Sequence, residues 1–595
     1  MLLTVTLILL VAILILYLGT RKPKGYPPGP NWLPIFGSLL DVVRIRQETG
    51  YLFKTCTELG RRYGPVVGLK IGVDRIVILN DYESIKAMLS DEACDGRPIG
   101  PFFAARTWGE RKGDTHTCLL VVDGTLWIEQ RRFVLRHLRE FGFGRNSMAA
   151  IIEDEASKLV QHFQNLIANG YRDAANKENP AAARDDPSAT RQGQIYRLQT
   201  LPKTIGKVLK SDRAMGDKND ACLLLQDNEG TENLHPRKPL KAADMYVKAD
   251  EYPEVRKVSQ TAGIIISMHD AFGVSVLNTL WRLMAGKRFN PDDRELTYLQ
   301  RILTNLLREI DMIGAPFGHF PILRFVAPEK SGYNSFVETH RQLWQYLRAE
   351  LNNHKNDFRP NAPRDLMDVY LEVLSSNDYG DTFSESQLLA ICTDLFIAGS
   401  ETTSKALGFC FLYLMLFPNV QKKAQEEIDR TVGRERLPSL SDRPRMTYMN
   451  AIVLESLRMF MGRTLNVPHR AMKDTVILGH RIPKVTGNDT MLVANFNRIL
   501  MDDSWGDPET FRPERFIDSS GHISTPSTYF PFSTGRHRCM GELLARSNIF
   551  VITAALLQTF TFTSVPGERK PTTQDFVDGV TSGPKPFRVL LSLRA

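Results

Sequence analysis

Residues 2–18 read LLTVTLILLVAILILYL, an apolar run with no charge and only two threonines and a tyrosine as polar breaks. At ~1.5 Å per residue such a helix nearly spans the ~30 Å hydrocarbon core of a bilayer. Arg21, Lys22 and Lys24 follow at once, and the positive-inside rule then puts the downstream chain in the cytoplasm. A cleaved signal peptide would need a basic start, a shorter apolar core and a small-residue cleavage site, none of which is evident. Residues 1–20 are therefore expected to be a transmembrane signal anchor. Residues 21–37 read as a basic, Pro-rich hinge around Pro27-Pro28-Gly29-Pro30, because proline fixes φ and cannot donate to a helix.

Downstream, helical patterns run over 51–63, 386–417, 420–432, 448–461 and 542–560. Alternation and β-branching mark short strands at 66–71, 75–79, 475–482 and 586–593. The expected fold is mainly α with small β-sheets, in one domain over 38–595. Residues 168–260 break the pattern. They are rich in Asp, Lys, Asn, Ala and Pro, which points to a disordered insert. A loop that long is uncommon inside a compact domain. It is either a functional insert or an artefact of the sequence.

Composition narrows the partners. The chain is 43% hydrophobic and 24% charged, ordinary for a globular protein with a large core. Its net charge of +8 suits acidic partners, but the basic residues are spread out, which argues against nucleic acid. The seven cysteines are odd in number, widely spaced and without a CxxC, so neither a disulfide framework nor a zinc site is indicated.

One cysteine stands apart. Phe532-Ser533-Thr534-Gly535-Arg536-His537-Arg538-Cys539-Met540-Gly541 sets Cys539 between two glycines, just ahead of a helix pattern. Glycine allows close approach of another group, and a helix N-terminus favours a negative sulfur. A lone cysteine in a turn is otherwise most often a buried, inert thiol. The full F-x-x-G-x-x-x-C-x-G pattern resembles the heme-binding signature of the cytochrome P-450 family. Four more segments resemble that family's motifs, in its order. They are Trp127-Ile128-Glu129-Gln130-Arg131, Ala398-Gly399-Ser400-Glu401-Thr402-Thr403, Glu455-Ser456-Leu457-Arg458 and Phe511-Arg512-Pro513-Glu514-Arg515-Phe516. The stretch from Met268 to Gly273 is most like insect microsomal members.

The resemblance implies heme b held by Cys539 as the metal ligand. Trp127, Arg131, Ala398, Gly399, His469, Phe532, Gly535, His537 and Gly541 would lie around it. Thr402 and Glu401 would handle protons for bound dioxygen. Glu455, Arg458 and Arg515 would form a structural ion network. His537 stands where most microsomal members carry arginine, which makes the charge there more sensitive to pH. The implied activity is monooxygenation of an apolar lipid, steroid, terpenoid or xenobiotic. Electrons would come from NADPH through a cytochrome reductase, with cytochrome b5 as a second possible donor, at the endoplasmic reticulum membrane. Arg132, Lys422, Lys423, Arg536 and Arg538 are candidate contacts for an acidic redox partner, although an ordinary solvated face would look the same. Phe102, Phe103, Trp108, Ile397 and Ala398 are expected to line the substrate pocket. The rival readings are a heme-thiolate isomerase or dehydratase of peroxides, and a non-catalytic membrane heme protein.

Overall fold

The computed structural model describes residues 19–106, 111–112, 115–116, 118–140, 146–178, 263–290, 293–376, 380–462, 464–484 and 490–594, together with Thr4 and Tyr17. The apolar run at 2–18 lies almost wholly outside them, as does the expected insert beyond residue 178. The chain divides into a unit of residues 1–165 and 261–595 and a second unit of residues 166–260.

Eleven helices and seven strands matter here. They are β1 (Val66–Ile71), β2 (Asp74–Leu79), α1 (Tyr82–Ser90), α2 (Gly124–Glu140), α3 (Asn146–Glu178), β3 (Gly263–Ser267), α4 (Gly273–Ala285), α5 (Arg294–Glu309), α6 (Tyr333–Asp357), α7 (Leu366–Ser375), α8 (Glu385–Leu416), α9 (Pro418–Thr431), α10 (Thr447–Arg458), β4 (His469–Arg470), β5 (Met491–Ala494), α11 (Glu542–Thr559), β6 (Phe560–Ser564) and β7 (Arg588–Leu593). Helix α3 carries regular structure eleven residues into the stretch expected to lack it.

Helix α8 is the axis of the first unit. Its 32 residues rise about 48 Å. The Ser384 side chain accepts from Gln387 N and caps the start. Apolar residues surround it almost completely, so it is a core helix, packed by α4, α6, α10 and α11. Among the described residues no single helix is long and apolar enough to cross a membrane. The bent pair α8 and α9 passes by length and composition, but α8 is the buried core helix and α9 exposes Lys422, Lys423 and Glu426.

The sheets are small, as the strand patterns predict. One has the order β1-β2-β5-β4, with Val66 opposite Leu79 in an antiparallel pair and Ile78 beside Val493 in a parallel one. The other has the order β6-β7-β3, all antiparallel. The Pro-rich segment is seated on β1: Gly68 N donates to the Pro28 carbonyl at 2.7 Å, and Tyr26 and Trp32 are buried.

Candidate active site

The Cys539 loop is shaped by its backbone. Ser533 and Gly535 both have positive φ, at 62° and 74°. A Cβ on Gly535 would also fall 2.3 Å from the Leu89 carbonyl at the end of α1, so only glycine fits. Gly541 differs: its φ is −89°, and a Cβ there would touch only the Cys539 sulfur, at 3.9 Å. The loop closes with Cys539 N donating to the Phe532 carbonyl at 3.0 Å. This delivers Cys539 just ahead of the N-terminus of α11, on the wall of a cavity of about 350 Å³. Of the six described cysteines it is the one not buried. Burial pushes the thiols of Cys56 and Cys94 up to about 12 and that of Cys410 to about 11, so they stay protonated and inert.

The opposite wall is the middle of α8. Ile397, Ala398, Gly399 and Thr402 line the cavity. Gly399 is forced by packing: a Cβ would lie 2.3 Å from Leu280 Cδ2 on α4. Its cost of ~1 kcal/mol within a helix is thus offset by the close approach of α4. Helix α8 runs on without a break here. Thr402 Oγ1 donates to the Ala398 carbonyl at 2.7 Å, which leaves its lone pairs toward the cavity. Glu401 goes elsewhere. Its buried carboxylate accepts from Thr304 Oγ1 on α5 at 2.7 Å and does not line the cavity. Consecutive helix positions point about 100° apart, and here that turn takes Glu401 to α5 while Thr402 lines the cavity.

A third wall gathers nitrogen donors. Trp127 and Arg131 lie one turn apart on α2, with the guanidinium 5.4 Å from the indole ring. Arg131 Nη2 donates to the Arg538 carbonyl at 2.5 Å. The His537 ring sits 4.3 Å from that of Trp127 and 5.1 Å from that of His469. Burial and then Arg97 lower the His537 pKa to about 3. The ring is therefore neutral at physiological pH, and its Nε2 donates to the Asp95 carbonyl at 2.8 Å. Burial and Arg97 likewise hold the His469 pKa well below its ordinary value, while its Nδ1 donates to the Cys94 carbonyl at 2.8 Å.

Arg97 was not singled out by any sequence pattern. It is 5% exposed and lines the cavity, and its Nη1 donates to the Val467 and Pro468 carbonyls at 2.9 and 3.0 Å. Its buried Nε has no partner. Burial and the Arg131 charge pull its pKa down to about 10. A buried guanidinium, a half-buried one and an orphaned N–H on one wall form an acceptor-hungry site. Two carboxylates of a planar macrocycle, with iron over a thiolate, fit this donor set.

Behind the Cys539 loop the structure assembles the expected ion network. Arg458 Nε and Nη2 donate to the two Glu455 oxygens at 2.7 and 2.9 Å, and Arg515 Nε adds a bond at 2.9 Å. All three side chains are at most 5% exposed. The surface basic residues look different. Lys422, Lys423, Arg536 and Arg538 pair with Glu426, Glu514, Glu92 and Glu542, respectively. Phe102 and Phe103 line the cavity as expected, whereas Trp108 lies outside the described residues.

Comparison with known proteins agrees with this geometry. The cytochrome P-450 family model matches residues 27–175 and 248–591, so the chain belongs to the cytochrome P-450 family, whose members are heme-thiolate monooxygenases. The segment between the two matched stretches falls within the expected insert. The chain is 39% identical over 587 residues to a probable cytochrome P-450 303a1 of Drosophila melanogaster, covering 98% of this chain and 97% of that one. It is 30% identical over 591 residues to the farnesoate epoxidase of Bombyx mori, covering 99% and 98%. It is 28% identical over 587 residues to human cytochrome P-450 2J2, covering 96% and 92%.

Proposed function

We propose that Cys539 is the thiolate ligand of the heme iron, and that the protein oxidises an apolar small molecule bound between α8 and the heme. The observation that carries this reading is the convergence on one cavity of Cys539, a wall of nitrogen donors that includes the orphaned Arg97 Nε, and the middle of α8. When bound, heme supplies dioxygen activation, which a thiolate ligand favours by donating electron density. The chain's own residues do the rest. The first turn of α11 stabilises the Cys539 sulfur as an anion. Arg97, Arg131, Trp127, His469 and His537 line one wall of the cavity and would hold the propionates, whose charge the two guanidiniums would balance. Phe532 and Gly535 shape the loop under the ring. Ala398 and Gly399 line the cavity on the α8 side and would face the heme, and the Thr402 hydroxyl would pass protons into the cavity. Glu401 holds Thr304 and acts on the site only through α8. The acid–threonine pair is thereby reduced to Thr402, which still favours monooxygenation over peroxide rearrangement.

Electrons are assigned to NADPH through a membrane-bound cytochrome reductase, with cytochrome b5 as a possible second donor. The site of action is the cytoplasmic face of the endoplasmic reticulum, with residues 1–20 as the anchor. Exposed apolar side chains support membrane seating. Ile35 and Phe36 are 61% and 47% exposed, and Ile322, Phe325 and Val326 are each at least 65% exposed. The Phe36 and Phe320 rings join the two groups, 6.1 Å apart. The farnesoate epoxidase among the relatives makes a terpenoid a reasonable member of the substrate class.

The test is a carbon monoxide difference spectrum of the reduced protein, wild type and Cys539→Ser. A red-shifted thiolate band is expected in the wild type and lost in the variant. Its absence from the wild type would sink the assignment.

A further inference from the structure

One stretch of the cavity lining comes from the end of α5 with the turn after it, and from the turn at 578–582. Leu307, Asp311 and Met312 belong to the first, Val580 and Thr581 to the second. The two are bonded together. Val580 N donates to the Leu307 carbonyl at 2.7 Å, and a Cβ on Gly579 would fall 2.4 Å from that same oxygen. The turn after α5 is closed on itself: Asp311 N donates to the Gly314 carbonyl at 3.2 Å, and Gly314 N returns a bond to the Asp311 carbonyl at 3.0 Å. Gly314 completes it at a φ of 122°.

A single guanidinium reaches both turns from outside. Arg46, on the helix Leu39–Thr49, forks onto Asp311: Nη1 donates to Oδ2, and Nη2 to Oδ1 at 3.0 Å. Arg46 Nη2 also donates to Asp578 Oδ2 at 3.3 Å. That oxygen accepts from Leu52 N, at the start of the helix Leu52–Tyr63, at 3.2 Å. Nearby, the Phe576 ring stacks on that of Tyr51, with centroids 4.3 Å apart. Asp311 lines the cavity, whereas Arg46 does not and is 35% exposed, so the pair stands where the cavity wall meets the surface.

We infer that Arg46 is the pin of an ionic latch, which holds the Asp311 and Asp578 turns against the N-terminal helices and gates the passage of bulky apolar molecules into the cavity. The inference rests on the reading of this cavity as the heme and substrate site. The partial exposure of Arg46, Asp311 and Asp578 sets the strength. Each such pair is worth at most about fivefold in an equilibrium constant, and salt screens it. The latch therefore keeps the rim shut most of the time and still yields at each passage. The buried Glu455 network, by contrast, has no such freedom. A gate that opens before the ligand moves slows entry and exit by the same factor, so it changes rates and leaves affinity alone.

Stopped-flow binding of 1-dodecylimidazole to the purified full-length holoenzyme, read by the Soret shift, tests this, with imidazole as the small control. In Arg46→Met both the association and the dissociation rate of dodecylimidazole should rise by about 5–25-fold, with the Kd unchanged. The rates for imidazole should stay as in the wild type. Asp311→Asn should act in the same direction, and about 0.5 M KCl should speed the wild type but not Arg46→Met. Unchanged dodecylimidazole rates in Arg46→Met overturn the inference. So does faster dissociation alone with a weaker Kd, since that marks a binding contact. Equal acceleration of imidazole also overturns it, because a disturbed heme site would produce that. If neither ligand shifts the Soret band of the wild type, the reading of the cavity as the heme site falls too.

Discussion

Replacing Glu455 by glutamine keeps its shape and removes its charge. The carboxylate is fully buried and takes four donors: Arg458 Nε and Nη2, Arg515 Nε, and the Arg512 backbone N–H at 3.0 Å. Glutamine would leave Arg458, 0% exposed, without a counter-charge, and Arg515, 5% exposed, with only the partly exposed Asp507 at 3.4 Å. Its own NH₂ would also face their N–H groups. Breaking a buried ion pair from one side costs about 3–5 kcal/mol, against a total stability of roughly 5–15 kcal/mol. Glu514→Gln is the internal control. Its pairing with Lys423 spans side chains 40% and 56% exposed, and such pairs are worth at most ~1 kcal/mol. Urea unfolding followed by far-UV circular dichroism compares the two. With an m-value of ~3 kcal/mol/M or more, Glu455→Gln should lower the midpoint by about 1 M, and Glu514→Gln by less than ~0.3 M. Indistinguishable shifts would refute the argument that burial, rather than pairing itself, sets the network's worth.

Three further outcomes are expected. Arg97→Gln removes one of two guanidiniums facing the cavity, so heme transfer to excess apomyoglobin should speed up by about 10–100-fold; an unchanged rate would take Arg97 out of the heme site. Thr402→Ala removes a local helix bond, so stability should hold to within ~0.5 kcal/mol. Product formed per dioxygen consumed should nonetheless fall by about tenfold or more, read by oxygen electrode against product yield. At His354, burial opposes the charge, but hydrogen bonds to Asp365 and Glu350 outweigh it and hold the pKa at about 10. Because the folded value lies above the unfolded ~6.5, the stabilisation is complete below pH ~6.5 and is lost as pH rises toward 10. Urea midpoints at pH 7 and pH 9.5 should therefore differ in the wild type and converge in His354→Gln.

The elements read from pattern alone share one property: their signal is local. The apolar surround of α8 and the alternation of β1 and β2 come from neighbours in the chain, and the structure places them within one or two residues of expectation. Cys539 was legible for the same reason, since a glycine-flanked loop ahead of a helix is a contiguous signal. The Glu455 and Arg458 pair was legible because i, i+3 spacing fixes it. Side-chain direction was less accessible. Thr402 and Glu401 adjoin in sequence, but the helix turns one to the cavity and the other to Thr304. Gly399 costs helix stability, and the approach of Leu280, invisible in the sequence, is what requires it. Arg97 and Arg46 carried no pattern. Each acquires meaning from groups hundreds of positions away, the carbonyls at 467–468 and the carboxylates of Asp311 and Asp578. The chain's local order thus specified the helices, the strands and the thiol. The charges that face the cavity were settled by packing, because burial and partners arise only when distant segments meet.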